Sequence, residues 1–287
     1  MTPSSQLFIG ITTWNSEQFL AICLDSLRRT APDAEIVILD NESSDDTLAI
    51  AGRFDARIVV KRSGQGDALD ALATLSKRPF TLLIHADVVM ISPIWVETVL
   101  KRFKANVALV SPEDIGCGPF TRPHGRGKPE SSFMCFETRH IDKLRVRRWM
   151  RKFRLPYYKS RVDFYGEHVT YNLPMRLADA GLTWFPMKVH VSEYRERPYY
   201  VPTFKLLHWM VEMGHLRYGL GNFYSIDGVV THYHNWYDRR VDRTKKFEPT
   251  ETLEINGGGV PVEYLKAYSE RFIADYKSGQ VVIPAVA

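Results

Sequence analysis

Apolar and polar positions change period several times along the chain, and each change marks an element. Residues 7–13 are apolar and β-rich without alternation, the pattern of a strand buried on both faces. Over 16–30 the period lengthens. Phe19, Leu20, Cys23, Leu24 and Leu27 fall at helical spacing, with Ser16 as a candidate N-cap and Glu17 in the first turn. Residues 35–40 form a second apolar run ending in Asp40, and the cap-rich turn 41–46 leads into a helix over 46–53. A short strand over 56–60 follows. Gly64-Gln65-Gly66 then opens a helix over 67–77, and the strand 80–84 stops at His85-Ala86-Asp87. Pro93 starts a helix over 93–104, and residues 107–110 close the series.

Strands alternating with short helices need crossover connections, so the pattern predicts a doubly wound, mostly parallel α/β sheet. Ligands of such sheets bind outside the carboxyl ends of the strands. Polar residues collect at those ends: Thr12 and Thr13, Asp40 and Asn41, His85 and Asp87.

The second half is less regular. Residues 111–132, rich in Gly and Pro, read as a long loop, the kind that is usually functional or mobile. A strand over 131–136, a helix over 166–180 ending at Gly181, and a strand over 182–191 follow. The tail 261–277 reads as an amphipathic helix. The division expected is an α/β half over 1–110, a less regular half of the same domain over 111–240, and a helical tail over 241–287.

With 287 residues, 45% hydrophobic and 25% charged, the chain has the composition of a globular protein able to bury a large core. No run of 18 uncharged apolar residues is present, and Met1 to Ser5 lacks the layout of a signal peptide, so the expected compartment is the cytoplasm, with peripheral membrane attachment open. Cys23, Cys117 and Cys135 show neither zinc-site nor disulfide spacing. The net charge of +5 suits an anionic substrate, a membrane surface or a nucleic acid without choosing among them. Much of it lies between Arg139 and Arg161, where a solvated helix face is the plain alternative.

The runs Ile9 to Asn15, Leu24 to Leu27 and Ile36 to Thr47 resemble the opening of GT-A-fold, family-2-like glycosyltransferases. The resemblance implies a GT-A-type sheet with an irregular acceptor-side region. It also implies a nucleotide-sugar donor (UDP-, GDP- or dTDP-linked) and a saccharide, lipid-linked or small-molecule acceptor. On it, Thr12, Thr13, Asn15, Asp40, Asn41, Arg62, Gly64, Asp67, His85 and Ala86 are candidate donor-binding residues. Asp40 can accept from a pyrimidine N–H, and Thr12 and Asn15 can bond base or ribose. Ser43 and Asp45 read better as helix caps.

Members of that family carry D-x-D after the fourth strand, holding Mg²⁺ or Mn²⁺ against the diphosphate. Here His85-Ala86-Asp87 stands in its place. Positions 85 and 87 share a face in extended backbone. Asp87 supplies a hard oxygen ligand. His85 either adds an imidazole nitrogen, which shifts preference from Mg²⁺ toward Mn²⁺, or contacts the nucleotide and leaves the ion to Asp87. His232 and His234 are further candidate ligands, or stabilise the leaving diphosphate. Arg62 and Arg122 are candidate charge helpers. Inverting members use an acidic base before a helix; the matching segment supplies Glu167, then His168, then Asp163 as candidates. The aromatics between Tyr194 and Trp236 can stack on an acceptor or pack a core.

Three other readings compete. One is a sugar transferase acting on a nucleic-acid base, which the basic stretch permits. Another is a nucleotidyltransferase, which would show a glycine-rich loop where Thr12 to Asn15 stand. The third is a non-catalytic nucleotide-sugar-binding protein.

Overall fold

The computed structural model describes residues 2–113, 129–144, 170, 173–190, 217–219, 221–235, 252–255 and 258–284. Its centre is the buried strand β1 (Leu7–Thr13), flanked in parallel by β2 (Glu35–Asp40) and β4 (Phe80–His85). Strand β3 (Arg57–Val60) pairs parallel outside β2. Successive side chains of β1 point to opposite faces, and each face meets its own core. Ile9 and Ile11 pack with Leu20, Leu24 and Leu27 of α1 (Glu17–Thr30) and with Trp95 of α4 (Trp95–Leu100). Phe8 packs with Leu69 and Leu72 of α3 (Gln65–Leu75), and with Leu177 of a later helix. A glycine suits position 10, because a Cβ there would crowd Leu83 at 2.9 Å and Leu72 at 3.0 Å. Helix α3 therefore lies directly on β1.

Beyond β4 the sheet becomes mixed. Strand β7 (Phe133–Glu137) lies antiparallel between β4 and β6 (Val107–Pro112), and β6 pairs parallel with β8 (Thr183–His190). Strands β9 (Asn222–Ile226) and β10 (Val229–His234) follow as an antiparallel hairpin. The short strand β5 (Val88–Met90) closes the edge against β10. In the order β3-β2-β1-β4-β7-β6-β8-β9-β10-β5, strand β4 is fourth and β5 tenth, yet only Ala86 and Asp87 separate them in sequence. A link of that length spans about 10 Å. The sheet must therefore curl until its β10 edge stands beside the tip of β4.

The parallel block matches the pattern read from the sequence, and β7 and β8 fall on the strands expected over 131–136 and 182–191, while the antiparallel setting of β7 and the β9–β10–β5 edge were not legible there. Several boundaries shift. The helix expected over 46–53 is the short α2 (Thr47–Ala51), and that over 67–77 begins at Gln65, placing Gly66 inside it. Among the described residues, the next helices are α5 (Ile141–Leu144) and α6 (Leu173–Asp179); of the helix expected over 166–180, residues 166–169 and 171–172 lie outside the described ones, and α6 carries Pro174 in its first turn, where a missing N–H costs nothing. The tail forms α7 (Val262–Ser278), after a small hairpin of β11 (Thr252–Ile255) and β12 (Gly258–Pro261). Phe272 of α7 stacks on Tyr233 at 3.6 Å between ring centres and joins Phe19, Tyr218 and Phe223. The Asp275 carboxylate accepts from Arg217 (2.6 Å) and the Tyr218 hydroxyl (2.8 Å). Among the described residues, no helix is long and apolar enough to cross a membrane.

Candidate active site

The loops after β1 and β2 are welded together by their own polar side chains. Asp40 is fully buried. Its carboxylate accepts from the Thr13 hydroxyl (2.6 Å), the Ser43 N–H (2.8 Å) and the Ser43 hydroxyl (2.6 Å). Ser43 Oγ in turn accepts the Asn15 N–H (2.8 Å), and Asn15 Oδ1 accepts the Ser44 N–H (2.9 Å). Asn15 and Glu42 hold left-handed backbone at φ 46° and 58°, a conformation Asn tolerates better than most residues. Ser16 does not cap α1 with its own side chain. The Glu17 N–H is bonded by Asp45 Oδ2 (3.1 Å) from the other loop, and Asp45 Oδ1 also accepts the Thr47 N–H (3.0 Å). Asp45 thus caps two helices at once.

Asp40 was expected to bond the base, and here its carboxylate is turned into the interlocked loops. Its oxygens are occupied by Thr13 and Ser43, and it does not line the cleft beside them. That cleft, about 350 Å³, is lined by Thr12, Thr13, Asn15, Asn41, Ser63 and Gln65, and reaches Ala86 and Asp87. Trp14, 54% exposed, lies along it. Asn41 Oδ1 accepts the Ser63 N–H (2.7 Å), which fixes the amide at the wall. Arg62, Gly64 and Asp67 are not part of the wall; Arg62 is exposed and Gly64 caps the start of α3.

At the far end of the cleft the sheet's curl brings together three side chains that could ligate a metal ion. His85 ends β4, Asp87 occupies the corner into β5, and His234 ends β10. The Asn235 N–H donates to the Asp87 carbonyl (3.1 Å), which clamps the two strand ends together. One ligand atom from each of His85, Asp87 and His234 lies within 4.8 Å of the others, and all three residues are buried. Two imidazoles and a carboxylate make a donor set that fits a divalent transition ion. Gln65 Nε2 lies 3.0 Å from His85 Nε2 and ties the start of α3 to the cluster.

His232 is not part of that group. Its ring is stacked between Phe133 (4.5 Å) and Tyr224 (4.7 Å) with Nδ1 on the Thr231 hydroxyl (3.0 Å). Burial, with the nearby charge of His234, pushes its pKa down to about 3, so it is a neutral core side chain. The sequence left the two histidines equal; the β10 register and the Phe133–Tyr224 sandwich separate them.

Glu130 was missed altogether. It precedes β7, its Oε1 lies 3.2 Å from His234 Nδ1, and its Oε2 accepts the Tyr224 hydroxyl (2.9 Å). On the other side, His234 Nε2 lies 3.5 Å from Asp87 Oδ1. Burial disfavours charge on the ring, but the carboxylates of Asp87 and Glu130 outweigh it and hold the His234 pKa up at about 9. Burial likewise opposes the Glu130 charge, and the His234 contact with the Ser132 and Tyr224 hydroxyls overrides it, bringing that pKa down to about 2. A lone Glu in a Gly- and Pro-rich stretch carries no periodic signal by which sequence could find it.

Glu167, His168, Asp163 and Arg122 lie outside the described residues, as do most of the aromatics between Tyr194 and Trp236 and the basic stretch beyond Leu144. Of those aromatics, Tyr218, Phe223, Tyr224 and Tyr233 are buried in the core.

Residues 8–162, more than half of the chain, match the family model described as Glycosyl transferase family 2. The chain belongs to that family. No curated protein matches it. Among solved structures it is similar to the mannosyltransferase PcManGT from Pyrobaculum calidifontis in complex with GDP-Man and Mn²⁺, at 14% identity and TM-score 0.41, covering 63% of this chain and 55% of that one. It is also similar to glucosyl-3-phosphoglycerate synthase from Mycobacterium tuberculosis in complex with Mn²⁺, UDP and glucosyl-3-phosphoglycerate, at 17% identity and TM-score 0.37, covering 46% and 57%. S. aureus TarS 1–349 matches at 15% identity and TM-score 0.38, covering 49% of each chain. The chain thus spans about half the length of the solved structures it resembles.

Proposed function

We propose that this chain transfers a sugar from a nucleoside diphosphate donor to an acceptor hydroxyl, assisted by a divalent ion. The observation that carries the reading is the continuity of one cleft. Its wall runs from the Thr12–Asn15 and Asn41 loops at the tips of β1 and β2 to Asp87 of the ligand cluster. A nucleoside fits the loop end, where Thr12, Asn15 and Asn41 offer hydrogen bonds to base and ribose, and Trp14 offers a stacking face. Asn41 takes over the base contact expected of Asp40.

His85, Asp87 and His234 would hold the ion, and their mixed nitrogen and oxygen donors favour Mn²⁺ over Mg²⁺. When bound, the ion supplies positive charge to the leaving diphosphate. Among the described residues, the cleft wall carries no Lys or Arg. Beside the ion, the N-terminus of α3 next to Ser63 and Gln65 adds a favourable dipole for a phosphate. The acceptor is a saccharide, a lipid-linked sugar or a small molecule. Transfer proceeds with inversion, the acceptor proton passing to Glu167, with His168 and Asp163 next in order on the sequence match alone.

The test is a thermal-shift series of UDP-, GDP-, dTDP- and CMP-sugars with and without Mn²⁺, on the full chain and on D87A. One nucleotide class should raise Tm in a metal-dependent way, and D87A should abolish the metal dependence. No stabilisation by any donor, with or without metal, sinks the reading.

A further inference from the structure

Glu130 is a mostly buried carboxylate, its side chain 16% exposed, with no place in the donor and metal roles above. It faces a ring nitrogen of His234 on the side away from Asp87. The two ring nitrogens are divided between two acids: Nε2 lies 3.5 Å from Asp87 Oδ1, and Nδ1 lies 3.2 Å from Glu130 Oε1. Glu130 is itself held from behind. Its Oε2 accepts the Tyr224 hydroxyl (2.9 Å), and that hydroxyl accepts from Asn222 Nδ2 (3.2 Å). Its backbone is anchored at both ends, with the N–H on the Pro112 carbonyl (2.8 Å) and the carbonyl accepting the Ser111 hydroxyl (2.8 Å). Tyr224 is fixed in turn by the stacked His232.

We infer that Glu130 is a positioning residue, which holds the Nδ1–H of His234 and so commits Nε2 to the ion shared with Asp87 and His85. The inference rests on the metal reading of the same site. An imidazole has one lone pair to give a metal, and the partner of its other nitrogen decides which atom gives it. A carboxylate on the far nitrogen fixes the tautomer and the ring orientation and raises the ligand's basicity. The chain Asn222, Tyr224, Glu130, His234 supplies that fixation from the β9–β10 hairpin and the end of β6. Glu130 touches neither donor nor acceptor in this assignment and acts only through His234.

The experiment measures Mn²⁺ affinity of the full chain by titration calorimetry or EPR, without donor, for wild type, D87A, E130A, E130Q and Y224F. In parallel, ¹⁵N NMR of the Zn²⁺-loaded protein reports which nitrogen of His234 is metallated. E130A should lose about 10–100-fold in affinity and show mixed or Nδ1 ligation. E130Q should recover much of that loss with Nε2 ligation kept. Its amide oxygen can still accept Nδ1–H, while its NH₂ donates to the Tyr224 hydroxyl. A merely structural role would not be rescued with that tautomer signature. Should E130A not fold, Y224F, which keeps the carboxylate but frees it, should show a smaller loss in the same direction. Wild-type affinity and pure Nε2 ligation in E130A, or in Y224F if E130A is lost, would overturn the inference while leaving the site intact, provided D87A abolishes binding. Absence of Mn²⁺ binding to wild type would remove the metal reading and the inference together.

Discussion

Asp40 and Asn41 are neighbours at the tip of β2 with opposite duties. The Asp40 carboxylate is turned into the interlocked loops, bonded to Thr13 and Ser43, whereas Asn41 sits on the cleft wall with its oxygen on the Ser63 N–H. One residue builds the platform and the next faces the cleft.

Substitution should separate these duties. D40A leaves the Thr13 hydroxyl and Ser43 donors without a buried acceptor and should cost about 2 kcal/mol or more of stability, seen in urea unfolding. N41A should stay within about 1 kcal/mol of wild type yet weaken nucleotide binding by about tenfold, seen by calorimetry. Equal loss of stability in both variants would contradict the division.

The His234 pair gives a pH signature. In the metal-free chain its pKa is raised from the ordinary 6.5 to about 9, so its contribution to stability is fully present below 6.5 and is lost as pH rises through 9. Glu130, lowered from 4.5 to about 2, contributes above 4.5 and loses that contribution as pH falls through 2. Tm of the metal-free chain should fall between pH 7 and pH 10, and H234Q should flatten that fall.

Metal changes the direction of this dependence. An ion on His234 displaces a proton at neutral pH, so Mn²⁺ affinity should tighten as pH rises toward 9 and loading should release protons into a weak buffer. Mg²⁺, which favours oxygen ligands, should bind more weakly than Mn²⁺ at every pH. A calorimetric series in buffers of different ionisation enthalpy measures both.

Helix α7 should matter for the site it never lines. Phe272 is fully buried against Tyr233, and Asn235 bonds Ser269 of the same helix (3.0 Å). F272A should cost about 3–5 kcal/mol in chemical denaturation. It should also lower Mn²⁺ affinity, because Tyr233 and Asn235 bracket His234. Unchanged metal affinity in a destabilised F272A would uncouple helix from site.

How much of this was legible depended on where the signal lay. The parallel block was visible because residues 7–13, 35–40 and 80–84 are continuous apolar runs, each followed by a helical period. Asp87 was visible because it sits where family members carry an acid. The inward turn of Asp40 was not legible because a strand-tip acid reads alike whether it faces a cleft or a loop; the Thr13 and Ser43 contacts show which way it points. His232 and His234 are equivalent by spacing, and the Phe133–Tyr224 sandwich that divides them is made by residues about ninety positions apart. Glu130 lies outside any periodic element, and its meaning comes wholly from a strand formed much later in the chain.

The two-residue corner between β4 and β5 has a consequence for how the protein comes into being. Two of the three side chains proposed to hold the ion emerge early in synthesis, and the last arrives only with β10, after nearly one hundred and fifty further residues. A nascent chain released after β6 would own a complete parallel block and half a chelate. An ion held there could not act as an early template for folding; it could only certify that the far edge has come home.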